Sequence, residues 1–262
     1  QQCQAAAHDH QSALLMIGTL PTLRNSDLCM ANMSPTGRFK ALNTQVLKAR
    51  NQQAIHLNIK GQEQLSVYHD DVMLEAAATS FQVHLQTPPD TFVNHFNASI
   101  MISAALLAAA TNSPFLFGKD LWAETRIPLF EQAITTVNAS NQTRVNFGEG
   151  YIDSHDDCFQ YNHRHHPVLL PILFEDAPER LKHLRLHNGT VWRWNRPLID
   201  FNRHGQPHFR IEQRVLPAGP SIVDMIANAA LYLGATSTLA KLTANSDYGL
   251  SFSQSRDNFY QA

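Results

Sequence analysis

Cysteine is scarce in this chain of 262 residues. Cys3, Cys29 and Cys158 stand far apart and form no CxxC pair, which argues against a disulfide framework and against a cysteine-built zinc site. A reducing cytosol is the simplest compartment for such a chain, so a cytoplasmic location is expected. Charge is sparse and balanced, with 20 Lys and Arg against 22 Asp and Glu and a formal net charge of −2. That balance leaves no basic footprint for nucleic acid. A Gly-rich Walker loop is missing, and so is a recognisable Ser-His-Asp arrangement. The start, Gln1-Gln-Cys-Gln-Ala, has neither an initiator Met nor an apolar leader core, and reads as the middle of a longer product. The longest mainly apolar run, Ile100 to Ala110, is short for a bilayer crossing, so no membrane partner is expected.

What is present is a globular composition, 44% hydrophobic and 16% charged, enough to bury a substantial core. Residues 1–11 read as the end of a polar helix and Ala13–Ile17 as a buried strand stopped by Gly18 and Pro21. Phe39, Leu42, Val46 and Leu47 recur at helical spacing within Gly37–Arg50. Ile55, Leu57 and Ile59, then Leu65 and Val67, alternate on either side of Lys60-Gly61-Gln62 and predict a hairpin. Asp71–Ala78 supplies a turn or two of helix. Asp90–Thr111 is the best helix, apolar enough to pack over a sheet and stopped by Asn112-Ser-Pro114. After a Phe115–Gly118 loop, Lys119–Ile134 reads as a helix broken or kinked at Pro128. Residues 137–166 are polar and end in His163, His165 and His166, which cannot all face one ion from regular structure. Val168–Phe174 reads as strand or buried coil. Gly189–Pro197 reads as a strand with Trp192 and Trp194 on one face and Arg193 opposite. Ser221 caps a helix running to about Gly234, and the tail from about Asn245 is expected on the surface.

Two strands share a design. In His208–Leu216, Phe209, Ile211, Gln213 and Val215 lie on one face, with His208, Arg210, Glu212 and Arg214 on the other. In Ser80–Gln86, Phe81, Val83 and Leu85 oppose Ser80, Gln82, His84 and Gln86. Such polar faces suit either a solvated antiparallel sheet or a floor for an anion and a metal ion.

The order of the motifs adds to this. Ser34-Pro-Thr-Gly-Arg-Phe-Lys, Ser80-Phe-Gln-Val-His-Leu, Asn112-Ser-Pro-Phe-Leu-Phe-Gly and Ile211-Glu-Gln-Arg, with a Pro-rich turn and helix behind, follow one another. This arrangement resembles the glutamate–cysteine ligase type 2 family of carboxylate–amine ligases, within the glutamine synthetase-like superfamily, over roughly residues 14–130 and 188–235. The resemblance implies an α+β fold with a curved, mostly antiparallel sheet and helices packed on one face, as a single ligase-like domain over residues 1–262. It implies ATP and Mg²⁺ as cofactors, amino acid substrates, and amide formation through an acyl phosphate, the chemistry of glutathione biosynthesis. Homo-oligomers are compatible with it. By the same resemblance Glu212 and His84 are metal-binding, Arg214 and Arg126 catalytic, and Arg196, Arg38 and Gln82 substrate- or nucleotide-binding. Magnesium prefers oxygen, which makes Glu212 the better ligand and His84 an outer one. A Gly-x-Glu-type segment of the family, carrying further metal carboxylates, is not found in this chain and is expected upstream of Gln1 or lost. A non-catalytic domain binding a nucleotide or amino acid is the alternative expectation, and a structural domain docking another subunit a third.

Overall fold

The computed structural model describes residues 2–136, 143–243 and 249–262. Helix α1 (Gln2–Asp9) buries nothing, and α2 (Gly37–Ala49) lays Leu42 and Val46 into the core. Strands β1 (Ile55–Lys60) and β2 (Gln64–His69) form the expected antiparallel hairpin. Ile55, Leu57 and Ile59 are buried while His56, Asn58 and Lys60 are exposed, the period of two written in the sequence. Gly61 is required at this turn, because an added Cβ would lie 2.4 Å from the backbone of Leu121. Two 3-10 turns over Val72–Ala77 follow, capped by Asp71 accepting from the Met73 amide at 2.9 Å.

Strand β3 (Val83–Thr87) leads into α3 (Phe92–Ala110). Phe81, Val83, Leu85 and Ile102 pack around Leu106 and Ala110, so α3 covers the apolar face of β3 as its composition predicts. Next come β4 (Phe115–Leu116), β5 (Lys119–Asp120), α4 (Arg126–Ala133), β6 (Val145–Asn146), α5 (Asp157–His165) and α6 (Lys182–Asn188). Strands β7 (Trp192–Arg193), β8 (Asn195–Phe201) and β9 (Pro207–Gln213) precede α7 (Ile222–Leu242) and α8 (Phe252–Gln261). The fold is α+β, and among the described strands the pairing is antiparallel except between β6 and β7. The sheet that matters for function has the order β3-β9-β8, antiparallel throughout.

Several expectations need correction. Ala13–Ile17 pairs with no strand, and Leu14 and Leu15 are exposed. An apolar run becomes a strand only where a ladder receives it; here the run is tied only at its end, by Gly18 donating to Asn112 O and accepting from the Thr79 amide and by side-chain bonds from Thr79 and Asn112 to the Ile17 and Met16 carbonyls. The Phe115–Gly118 loop is a tight hairpin, with Phe117 and Gly118 both at positive φ. The helix expected from Lys119 begins only at Arg126. Pro128 therefore falls in its first turn, where no intrahelical amide bond is lost. Pro197 does not end a strand but sits inside β8, at the edge of its sheet, where a missing amide is tolerated. Val168–Phe174 is coil and largely exposed, with only Leu169 buried.

Helix α7 passes through Gly234 to Leu242, because Tyr232, Thr236 and Ala240 form a buried stripe along one side and packing outweighs the glycine. Much of its remaining apolar surface, including Val223 and Ile226, is exposed. Residues 245–248 of the expected surface tail lie outside the described residues, as do 137–142 of the polar stretch. Beyond them α8 is capped by Ser251 and Gln254 and buries Phe259 against Phe147 and Trp194. The run Ile100–Ala110 also understates the helix lengths. Pro89–Ala110 and Ile222–Leu242 are long and apolar enough to cross a membrane by length and composition, though half of the first is buried inside the fold, as in a core helix.

Candidate functional site

Register brings three predicted residues into one row. Glu212 on central β9 pairs with His84 on β3 and with Arg196 on β8. Side chains directly opposite one another in an antiparallel sheet share a face, so the row follows from strand order alone. The Glu212 carboxylate is 4% exposed and accepts from Arg196 Nε at 2.5 Å and Arg214 Nη1 at 3.1 Å. His84 Nε2 stands 3.7 Å away. The Gln82 amide, oriented to satisfy its neighbours, donates to Glu212 Oε1 at 2.7 Å and accepts from Arg214 Nη1 at 3.0 Å.

Burial would raise the Glu212 carboxyl, but Arg196 and Arg214 outweigh it and hold the group below the usual carboxylate range. Burial lowers Arg214 to about 10, still charged at neutrality. Burial also lowers His84, with the three neighbouring arginines adding to the effect against the pull of Glu212. With the imidazole neutral, two guanidinium groups face one carboxylate. The row is a net cation.

Beside it lies a cavity of ≈ 160 Å³ bordered by Glu75, Ser80, Gln82, Arg126, Trp194 and Arg214. Arg126 borders this cavity, and each of its three nitrogens donates to the protein. Its Nε donates to Glu124 at 2.9 Å, Nη1 to Arg214 O at 3.2 Å and Nη2 to Val215 O, with the Trp194 ring 5.3 Å from its guanidinium carbon. It pins the end of β9 and so orients Arg214. A larger cavity of ≈ 310 Å³ lies elsewhere, near Phe147 and Tyr161. Its charges are answered internally, Arg193 by Glu149, Asp157 by the Asp153 and Ser154 amides, and Arg164 by Gln160. Burial pushes its Cys158 thiol up to about 11, away from thiolate chemistry. The row is the better candidate.

A family model described as glutamate-cysteine ligase family 2 matches residues 1–262, the whole chain. The chain belongs to that family. No curated protein matches it in sequence. Carboxylate–amine ligases of this family type are generally ATP-dependent.

Within this ligase-family chain, Glu212, His84, Arg196, Arg214 and Gln82 come together, and Arg126 supports them from behind. Arg38 does not join them; it is exposed on α2, and its charge is felt by Glu75. Glu75 is the residue that sequence reasoning missed. It lies on the 3-10 turns, where no strand alternation flags it, and only folding places it against Arg214. Burial raises its carboxyl, against the pull of Arg214 and Arg38.

Magnesium wants near-octahedral oxygen ligation. Both Glu212 oxygens already accept from arginine or glutamine donors, and among the described residues no three His, Cys, Asp or Glu side chains converge. The row as it stands does not fit a resident Mg²⁺ held by Glu212 and His84. It fits an anion. His163, His165 and His166 likewise form no cluster, and burial takes His166 down to about 4.

Proposed function

We propose that this chain is the ATP-using core of a carboxylate–amine ligase of the glutamate–cysteine type. The observation that supports it best is the buried, net-cationic row Arg196–Glu212–His84 with Arg214 and Gln82, in a chain of this family. ATP, a co-substrate here, would phosphorylate the carboxylate of an acidic amino acid, and an amine would then displace the phosphate to leave an amide. Negative charge accumulates on the transferred phosphoryl and acyl oxygens during both steps. Arg196 and Arg214, prefixed by Glu212, would stabilise that charge without reorganising and without a covalent nucleophile from the protein. Magnesium enters this proposal with the nucleotide, filled out by water and phosphate oxygens. We place the protein in the cytoplasm with small amino acid substrates, and with neither nucleic acid nor membrane as partner.

The test is ADP release on mixing the chain with ATP, Mg²⁺, L-glutamate and L-cysteine, extended to other acidic amino acids and amines. No ADP with any pair sinks the ligase reading. A second reading, a non-catalytic domain that binds a nucleotide or amino acid, is favoured by the missing carboxylate cluster among the described residues. Calorimetric binding of either ligand without ADP release selects it.

A further inference from the structure

The ≈ 160 Å³ cavity next to the row is lined by opposite charges, Glu75 and Arg214. Among the described residues the Glu75 carboxylate accepts no hydrogen bond and forms no ion pair; Arg214 and Arg38 act on it through space. Arg214 engages Glu212 and Gln82 through Nη1, while its buried Nε has no acceptor among the described residues. A buried donor without an acceptor is costly unless a ligand completes it, whereas the half-buried Glu75 carboxylate is free to take a partner. Arg126, the other cation lining the cavity, already donates to the protein from each of its three nitrogens. The volume corresponds to about five water molecules at roughly 30 Å³ each, the scale of a small zwitterion and far below that of a nucleotide.

We propose that Glu75 recognises the ammonium group of an amino acid whose carboxylate is held by Arg214, making it the residue that separates amino acids from plain carboxylates. The assignment rests on the ligase reading for its substrate class, but its test needs no turnover. A carboxylate at Arg214 satisfies the guanidinium on the side that Glu212 leaves free. An ammonium at Glu75 answers a carboxylate that the fold partly desolvates. Simple carboxylates gain only the first of these contacts.

Calorimetry on the full chain without ATP compares L-glutamate with glutarate, its analogue lacking the amino group, and separately titrates Mg²⁺ alone. The intact chain should prefer glutamate by about tenfold or more, the scale of one charged hydrogen bond. Glu75→Gln should abolish that preference while leaving glutarate affinity unchanged, and Glu75→Asp should restore part of it, with thermal melts verifying that each variant is folded. Equal affinity for the two ligands in the intact chain, or binding of neither at millimolar concentration, overturns the proposal. So does a Glu75→Gln variant that loses Mg²⁺ binding but keeps the glutamate preference, because that result makes Glu75 a metal ligand. If the preference is found but no ADP forms with any amine, the ligase reading fails while this one stands.

Discussion

Replacing Glu212 by Gln probes the centre of the row. The carboxylate is 4% exposed, and the guanidinium side chains of Arg196 and Arg214 are 13% and 12% exposed, so solvent screens little. Removing one partner of such a buried ionic group costs about 3–5 kcal/mol, because the remaining charges stay buried without compensation. Gln keeps the shape and one acceptor oxygen, which puts the expected loss near the lower figure, about 3 kcal/mol. For a chain of this size that corresponds to a melting point lower by about 10 °C. Two signatures separate this from ordinary core damage. First, sulfate should restore the variant far more than the parent, since an anion replaces the lost charge between the two guanidinium groups. Second, the parent's extra stability should be present above the ordinary carboxylate range and lost as pH falls through the lowered Glu212 value, whereas the variant should lack that acid limb. The assay is thermal unfolding from pH 3 to 8 with and without sulfate. A shift below about 1 kcal/mol with no differential rescue would refute the reasoning and return the row to solvated decoration.

Glu131 accepts from Trp194 Nε1 at 2.8 Å and Tyr260 Oη at 2.6 Å, yet burial raises its carboxyl to about 7. Because the folded value lies above the unfolded one, stability should fall as pH rises from about 4.5 to 7, by about 3 kcal/mol in all. Glu131→Gln should flatten that limb, and an unchanged slope in melting point against pH would reject the assignment. Gly61→Ala forces a Cβ within 2.4 Å of the Leu121 backbone and should destabilise by about 1–3 kcal/mol in urea unfolding; a neutral result would mean that the β1–β2 turn moves away freely.

Most elements could be read because local pattern decided them. Ile55, Leu57 and Ile59 alternate, the Ala- and Leu-rich run around Leu106 is a core helix, and Ser221 caps α7 as its side chain suggests. The misread segments are those where a partner decides. Ala13–Ile17 has the composition of a strand and no ladder, while the polar tail contributes Phe259 because Phe147 and Trp194 receive it. Arg126 and Arg214 look alike as isolated arginines. Only packing turns each nitrogen of one toward a backbone carbonyl or Glu124 and leaves the other with a buried Nε lacking an acceptor among the described residues.

The sequence by itself determined that Glu212 and Arg214 share a strand face, that His84 lies on a second strand of the same design, and that the motif order is that of this ligase family. Those are properties of spacing, which a period of two makes readable. Tertiary structure decided that His84, Glu212 and Arg196 stand in register across three strands, that both carboxylate oxygens are already taken, and that Glu75 faces Arg214. Register and long-range approach depend on how separate segments fit together, and no local period encodes that.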